Sequence, residues 1–268
     1  MVSYFGRPIN KKFKANYMKF SYQLYSSRAT VDWAQTLAHL ASSGYSYVEG
    51  FGGAYSNDPK AFRRLLDNYD LSMPTAHVGI DEIEQDTESV VEIAKTLGIK
   101  QIFGPNLMPE LRPTNAEGWQ MFGRRLEKIR EKLNRAEIEF GWHNHDFEFQ
   151  ILDDGSFPIR HILEEASSVL WEVDVAWIIR AGQDPEPWID RFSEQIRAVH
   201  IKDLALKGTC LNEDGWADVG EGIVSWQDLL GFIKKKTRAE TFVVEHDKPS
   251  DMKRFAERSI QNLRDMGY

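Results

Sequence analysis

Two kinds of hydrophobic segment alternate along the 268 residues. Short apolar runs bounded by turn residues are typical of buried strands, whereas apolar residues three or four positions apart are typical of helices. Eight strands are predicted at 20–25, 45–50, 71–78, 99–103, 138–142, 169–173, 198–201 and 241–244. One helix is predicted after each strand, at 31–41, 58–66, 81–97, 119–136, 159–166, 185–192, 226–235 and 252–266.

This regular alternation predicts a parallel sheet whose strands are joined by helical crossovers. Eight strand–helix units in 268 residues predict one (β/α)₈ TIM barrel. We expect a single domain over residues 1–268, with 1–19 as an N-terminal extension. A doubly wound open sheet is the alternative, but the glycine-rich fingerprint of nucleotide-binding sheets is absent after the first strand.

Composition narrows the class of protein. The formal charge is -8 and no block of Lys and Arg stands out, which argues against nucleic-acid binding. The single cysteine, Cys210, fits a reducing compartment. No apolar run approaches membrane-spanning length, and residues 1–19 lack the apolar core of a signal peptide. We expect a cytoplasmic enzyme without membrane partners, and leave open whether it forms a homo-oligomer.

Polar side chains with catalytic or metal-binding chemistry collect where the predicted strands end. Strand five runs directly into His143, Asn144 and His145, with Glu148 close behind. Because a strand alternates its faces, His143 and His145 are expected to point the same way. The other strand ends carry Glu49, His77, Asp174, His200, Lys202, Asp203, Glu245, His246 and Asp247. In a barrel these ends face one mouth, so their joint occurrence predicts a site there.

Asp174, His200 and Glu245 supply two carboxylates and one imidazole. Such a set suits a divalent cation, and oxygen ligands favour the harder ions. A fourth ligand from strand five would complete the protein part of the site. In the loop 204–224, glycines on both sides of Glu221 predict a sharp turn beside it.

The chain resembles the xylose-isomerase-like TIM-barrel superfamily, in the sugar phosphate isomerase/epimerase group that includes inosose dehydratases and ketose epimerases. The segments carrying the resemblance are 142–149, 173–177, 199–203, 219–224 and 243–247. The resemblance implies one divalent metal ion, Mn²⁺ before Mg²⁺, Co²⁺ or Zn²⁺, bound by Glu, Asp, His and Glu from strands five to eight. Asp174, His200 and Glu245 match the last three ligands.

Strand five departs from this pattern, because His143, Asn144 and His145 stand where many members have a glutamate. We expect Glu148 to fold back as the fourth ligand, which would preserve the charge of the set. A histidine ligand is the alternative.

The resemblance implies a metal-dependent sugar isomerase or epimerase that acts on a ketose, keto-inositol or keto-glycoside. A base would remove the proton next to the carbonyl, and the metal would stabilise the resulting enediolate. His145 is the expected base, His143 the second candidate, and Lys202 a further catalytic group. The residues expected to contact the substrate are Glu49, His77, Asn144, Trp177, Asp203 and His246.

Four other functions remain open. An inosose-type dehydratase or a 3-keto-glycoside lyase would use the same site. An endonuclease that cleaves abasic DNA shares the superfamily, but the acidic charge argues against DNA binding. A sugar-binding barrel without activity would not need the filled set of strand-end ligands.

Overall fold

Eight parallel strands close into a barrel in the computed structural model, which describes residues 18–268. The predicted N-terminal extension therefore lies outside the described residues except for Met18 and Lys19. The barrel strands are β1 (Ser21–Gln23), β2 (Tyr47–Phe51), β3 (Ser72–His77), β4 (Gln101–Gly104), β5 (Glu139–His143), β6 (Leu170–Asp174), β7 (Ile196–Ile201) and β10 (Thr241–Val244). Their order around the barrel is β1, β10, β7, β6, β5, β4, β3, β2, which confirms the predicted TIM barrel.

Helices follow the strands and form the outer layer. They are α1 (Trp33–Ser43), α2 (Gly52–Tyr55), α3 (Pro59–Asn68), α4 (Ile80–Gln85), α5 (Thr87–Leu97), α6 (Ala116–Asn134), α7 (Pro158–Glu165), α8 (Val175–Arg180), α9 (Pro185–Arg191), α10 (Trp226–Lys236) and α11 (Met252–Asp265). The predicted helix 81–97 is in fact two helices. Asp86 has a non-helical backbone between them, and its side chain caps α5 by accepting a hydrogen bond from the Ser89 N–H.

Alternation along the strands decides which side chains reach the barrel interior. Trp142 packs edge-on against Phe122 of α6, so it faces the helices and its neighbour His143 faces inward. In β6, Trp171 packs against Phe192 in the outer layer, which turns Glu172 inward. By the same alternation, Asp174 of β6, His200 of β7 and Lys202 just after β7 face the barrel interior.

The segment predicted as a loop at 204–224 contains a two-stranded antiparallel hairpin of β8 (Asp203–Leu204) and β9 (Trp216–Ala217). The buried Asp203 carboxylate joins the two ends of this segment. It accepts hydrogen bonds from the backbone N–H groups of Leu204, Gly220, Gly222 and Val224. A Cβ at position 222 would collide with that carboxylate. Glycine is required there because the backbone approaches Asp203 so closely.

No helix within residues 18–268 combines the length and apolar character needed to cross a membrane.

Candidate metal centre and substrate cavity

A cavity of about 550 Å³ opens at the mouth formed by the carboxyl ends of the barrel strands. This volume is within the usual range for small-molecule sites. Its wall includes His77, His143, His145, Trp177, Trp216 and Glu245. The sequence predicted His143 and His145 as catalytic residues, His77 and Trp177 as substrate contacts, and Glu245 as a metal ligand. Trp216 is the one residue of these six that was not predicted.

Four buried side chains, of which His143 and Glu245 line the cavity, could hold one metal ion. His143, Asp174, His200 and Glu245 each offer one ligand atom, and these atoms lie within 4.8 Å of one another. His200 Nδ1 lies 2.8 Å from Glu245 Oε2 and 3.9 Å from Asp174 Oδ2. Asp174 Oδ1 accepts the Trp177 N–H, whereas Asp174 Oδ2 has no hydrogen-bond partner among the described residues. A buried carboxylate oxygen without a donor fits a metal ligand.

His143 suits ligation because burial lowers its pKa to about 3, with His200 also lowering it. The imidazole is therefore neutral, which is the form that binds metals.

A second group lies beside the first and contains a residue that the sequence analysis missed. His77, His143, Glu172 and His200 also bring one ligand-type atom each within 4.8 Å of one another. Glu172 Oε2 is 2.6 Å from His77 Nε2, 3.2 Å from His143 Nδ1 and 3.3 Å from His200 Nε2. The signal was present in the sequence: Glu172 stands two residues before Asp174, on the same face of β6.

Lys202 is buried in contact with three carboxylates. Its Nζ lies 2.6 Å from Asp247, 3.2 Å from Glu245 and 3.6 Å from Asp174. Although burial alone would lower the pKa of Lys202, these carboxylates raise it above its ordinary value, so the ammonium is charged. One buried ammonium therefore faces three carboxylates, and the residues of two of them, Glu245 and Asp247, also line the cavity.

Glu148 does not belong to either group. Its carboxylate accepts hydrogen bonds from Trp142 Nε1 at 2.9 Å and from the His145 N–H at 2.9 Å. Burial raises the pKa of Glu148 to about 8, which favours the protonated form at neutral pH. We therefore replace Glu148 by His143 in the ligand set proposed below. Glu148 lies in the short 3₁₀ helix Phe147–Phe149, and its carboxyl group points back towards Trp142 near the end of β5.

His145 lies on the cavity wall, outside both groups of ligand-type atoms. Its ring is 5.1 Å from Trp177 and stacks on Phe147 with centroids 6.0 Å apart. Burial lowers the pKa of His145 well below its ordinary range, and His143 and Lys202 lower it further. The imidazole is therefore neutral.

Glu49 lies beneath the cavity, where His200 Nε2 is 2.7 Å from its Oε1 and Gln23 Nε2 donates to the same oxygen at 2.8 Å. It is fully buried, so its position suits support of His200 better than contact with a substrate. Of the predicted substrate contacts, only His77 and Trp177 line the cavity.

Three other predicted substrate contacts point away from the cavity. Asn144 ties β5 to β6, donating to the Asp174 carbonyl and accepting from Trp171 Nε1. The Asp203 carboxylate is occupied by the backbone of the following segment, as described above. His246 packs against Phe255 of α11, and its Nδ1 accepts the Lys248 N–H. These positions correct the expectation that Asn144, Asp203 and His246 touch the substrate.

Comparison with solved structures identifies the fold. A sugar phosphate isomerase/epimerase from Parabacteroides distasonis has a TM-score of 0.76 at 19% identity, covering 91% of this chain and 92% of that one. The probable 3-DHS dehydratase AsbF from Bacillus anthracis has a TM-score of 0.74 at 14% identity, covering 92% and 99%. The IOLI protein, solved with a bound zinc atom, has a TM-score of 0.74 at 16% identity, covering 93% and 96%.

Sequence comparison supports the same assignment. The rhizopine catabolism protein MocC from Rhizobium meliloti is 23% identical over 191 residues, which are 63% of this chain and 57% of MocC. The chain thus spans a little over half the length of this curated relative. Residues 37–266 match the sequence model of a family described as xylose isomerase-like TIM barrel. Since this match covers most of the chain, the protein belongs to the xylose isomerase-like TIM barrel family.

Proposed function

We propose that this protein is a divalent-metal-dependent isomerase or epimerase of a ketose, keto-inositol or keto-glycoside. The observation that carries the proposal is the buried set of His143, Asp174, His200 and Glu245, two of which, His143 and Glu245, line the cavity. In a barrel of this kind, residues at the carboxyl ends of the strands carry the chemistry. The family assignment supports a small sugar-like substrate.

Charge and donor type both support a divalent cation in this set. Asp174, Glu245 and Asp247 carry three negative charges near the single ammonium of Lys202. Although burial lowers the pKa of His200, Glu172, Glu245 and Glu49 together raise it well above its ordinary value, so the ring carries a proton that a divalent ion would replace. Two imidazoles and two carboxylates suit Mn²⁺, Co²⁺ or Zn²⁺ better than Mg²⁺, which prefers oxygen ligands. We favour Mn²⁺, and the zinc atom in the IOLI protein supports a first-row metal.

When bound, the metal would polarise the substrate carbonyl and stabilise the negative charge that develops on its oxygen. His145 is the proposed base because its neutral ring lines the cavity and lies outside both groups of ligand-type atoms. The His145 N–H donates to Glu148, which fixes the backbone that carries the ring. Charged Lys202 would hold Glu245 and Asp247 in place.

Trp177 is better placed than Trp216 to contact a sugar ring, because Trp216 is almost wholly buried and both Arg180 and Lys202 lie over its ring. The rings of Trp177 and Trp216 lie 4.7 Å apart at an interplanar angle of 77°, and both line the cavity. Aromatic faces of this kind contribute apolar contact to the C–H face of a sugar, while polar groups at the floor bind its oxygens.

The proposal is tested by incubating the Mn²⁺-loaded protein with ketoses, inososes and 3-keto-glycosides in deuterium oxide. We expect deuterium to enter the substrate at the carbon next to the carbonyl, as followed by nuclear magnetic resonance. Release of water or of an aglycone would instead identify a dehydratase or a 3-keto-glycoside lyase that uses the same base. The proposal fails if the protein, loaded with metal, exchanges no proton in any of the three substrate classes.

A further inference from the structure

The β8–β9 hairpin brings Trp216 against the buried ammonium of Lys202. Lys202 Nζ lies 4.4 Å from the centroid of the Trp216 ring and 4.9 Å from that of Trp177. Trp216 begins β9, where it pairs with Leu204 of β8, so the place of its ring depends on the hairpin. Both indoles line the cavity, whereas Lys202 is fully buried. The hairpin therefore supplies part of the wall between Lys202 and the cavity.

The tip of the hairpin, residues 205–215, has few contacts that fix its position. Leu206 and Leu211 of this tip are 68% and 73% exposed. Within residues 18–268, the hydrogen bonds and ion pairs that join the tip to other parts of the chain all come from the side chains of Glu213 and Asp214. Two carboxylates therefore determine where the tip lies.

Of these two carboxylates, Glu213 is the stronger anchor. Asp214 pairs with Lys248 at 3.0 Å, but both side chains are about half exposed, and exposed ion pairs stabilise little. Glu213 is buried, and its Oε1 accepts hydrogen bonds from the Ser250 N–H at 2.6 Å, the Ser250 hydroxyl and Arg254 Nη2 at 2.9 Å. Hydrogen bonds between charged groups are stronger than neutral ones.

Arg254 of α11 joins this anchor to the segment that follows β9. Its Nε donates to Asp218 Oδ2 at 3.0 Å, and its Nη2 donates to Asp218 Oδ1 at 3.1 Å. Asp218 comes directly after β9, which carries Trp216. One guanidinium therefore holds the tip of the hairpin and the end of its second strand together.

Backbone geometry shows that the tip depends on this anchor. The short 3₁₀ helix Leu211–Glu213 lies between Cys210 and Asp214, whose φ angles of +48° and +57° are left-handed. Residues other than glycine seldom adopt this conformation, so contacts outside the short helix must maintain it. Glu213 ends the helix and makes those contacts. We therefore expect the tip to rearrange when the Glu213 carboxylate is removed.

We propose that Glu213 and Arg254 are positioning residues that lock the hairpin, so that Trp216 keeps the Lys202 ammonium against its carboxylates. This inference rests on the proposed function, in which Lys202 holds the metal ligand Glu245 in place. Among the described residues, neither Glu213 nor Arg254 lines the cavity, so both would act through the hairpin rather than on the substrate.

The test measures how fast acetic anhydride modifies Lys202, with the acetylated peptide identified by mass spectrometry. Lys202 is the one buried lysine among the described residues, so its acetylation reports opening of the wall around it. The variants are Glu213→Gln, Glu213→Ala and Trp216→Leu. Glu164→Ala is the matched control, because Glu164 also accepts hydrogen bonds from arginine side chains, but in the outer layer of helices.

We expect Glu213→Ala to speed the acetylation of Lys202 by about 10–100-fold, as for the loss of hydrogen bonds to a charged group. Glu213→Gln keeps an acceptor for Ser250 and should have a smaller effect, and Glu164→Ala should have none. Trp216→Leu should also speed the reaction. Adding Glu213→Ala to Trp216→Leu should change the rate little further, because a residue that acts through Trp216 then has nothing left to hold.

Two outcomes would overturn the proposal. One is a rate in Glu213→Ala within about twofold of the wild type, and the other is a double variant in which the two effects multiply. Hydrogen exchange, followed by mass spectrometry, checks that the opening is local. In Glu213→Ala, exchange should rise in residues 203–217 while the barrel strands stay protected, whereas faster exchange throughout the barrel would reject the positioning role.

These measurements need no substrate, so they remain valid if the isomerase proposal fails. In an active protein, the rate of deuterium exchange into the substrate should fall as the acetylation of Lys202 rises, more in Glu213→Ala than in Glu213→Gln. A catalytic rate that is the same in both variants and the wild type would reject the positioning role even if the hairpin opens.

Discussion

The substitution Glu49→Gln tests whether the layer beneath the proposed metal centre holds a ligand in place. His200 Nδ1 faces Glu245 in the ligand set, and His200 Nε2 lies 2.7 Å from Glu49 Oε1. All three side chains are buried, and Gln23 donates to Glu49 from β1. A carboxylate at Nε2 would keep the proton on that nitrogen and leave the Nδ1 lone pair free for the metal.

The size of the effect follows from what the substitution changes. Glutamine keeps the length of the side chain and an oxygen acceptor but removes the negative charge beside the His200 ring. Loss of such an outer-shell partner lowers metal affinity by about 10–100-fold, equivalent to about 1.4–2.8 kcal/mol. We therefore expect Glu49→Gln to weaken Mn²⁺ or Zn²⁺ binding by this factor while the barrel stays folded.

The assay is competition for the metal with a chromogenic chelator, with circular dichroism measured in parallel. Glu139→Gln is the matched control, because Glu139 also accepts a hydrogen bond from a glutamine of the adjacent strand, Gln101, but at the exposed start of β5. Metal affinity of Glu49→Gln within a factor of about two of the wild type would refute the positioning role. A raised KM with unchanged metal affinity would return Glu49 to the substrate-binding role expected from the sequence.

Three further predictions address the site directly. Asp174→Ala and Glu245→Ala should each lose stoichiometric metal, measured by plasma mass spectrometry, with an unchanged circular dichroism spectrum; retained metal in both would show the ligand set to be wrong. His145→Asn should lower the rate of deuterium exchange by about 10²–10⁴-fold with metal content unchanged, whereas loss of metal would make His145 a ligand. Glu148→Ala should keep the metal but lower the free energy of unfolding by about 1–3 kcal/mol for each donor left unsatisfied, Trp142 Nε1 and the His145 N–H, as measured by urea denaturation.

The sequence was sufficient for the barrel because strands covered on both faces read as short apolar runs. It did not reveal the break at Asp86, because the apolar spacing continues across it and only the cap marks the boundary. The short helices α2 and α8 were also missed, since four to six residues hold too little periodicity to recognise.

The alternation of side chains along the strands explains which of the predicted site residues the structure brings together. Asp174, predicted as a ligand, does face inward at the end of β6, and the same alternation applied two residues earlier would have added Glu172. The alternation would also have excluded Asp203 and His246, because each follows directly after an inward residue, Lys202 and Glu245, and so faces outward. The direction of Glu148 depends on a single turn after β5, and no periodic signal specifies that.

The histidine at the end of β5 redistributes negative charge around the proposed metal rather than removing it. A carboxylate at position 143 would add a fourth negative charge to those of Asp174, Glu245 and Asp247, which share the one ammonium of Lys202. In this chain position 143 is a histidine, and the nearby carboxylate is that of Glu172, which lies behind the imidazole rings. Glu172 Oε2 is 3.2 Å from His143 Nδ1 and 2.6 Å from His77 Nε2. The proposed centre would then hold a metal with two imidazoles, each backed by a buried carboxylate. Such a set favours borderline ions over Mg²⁺, so the order of affinity among Zn²⁺, Mn²⁺ and Mg²⁺ reports directly on the ligand from β5.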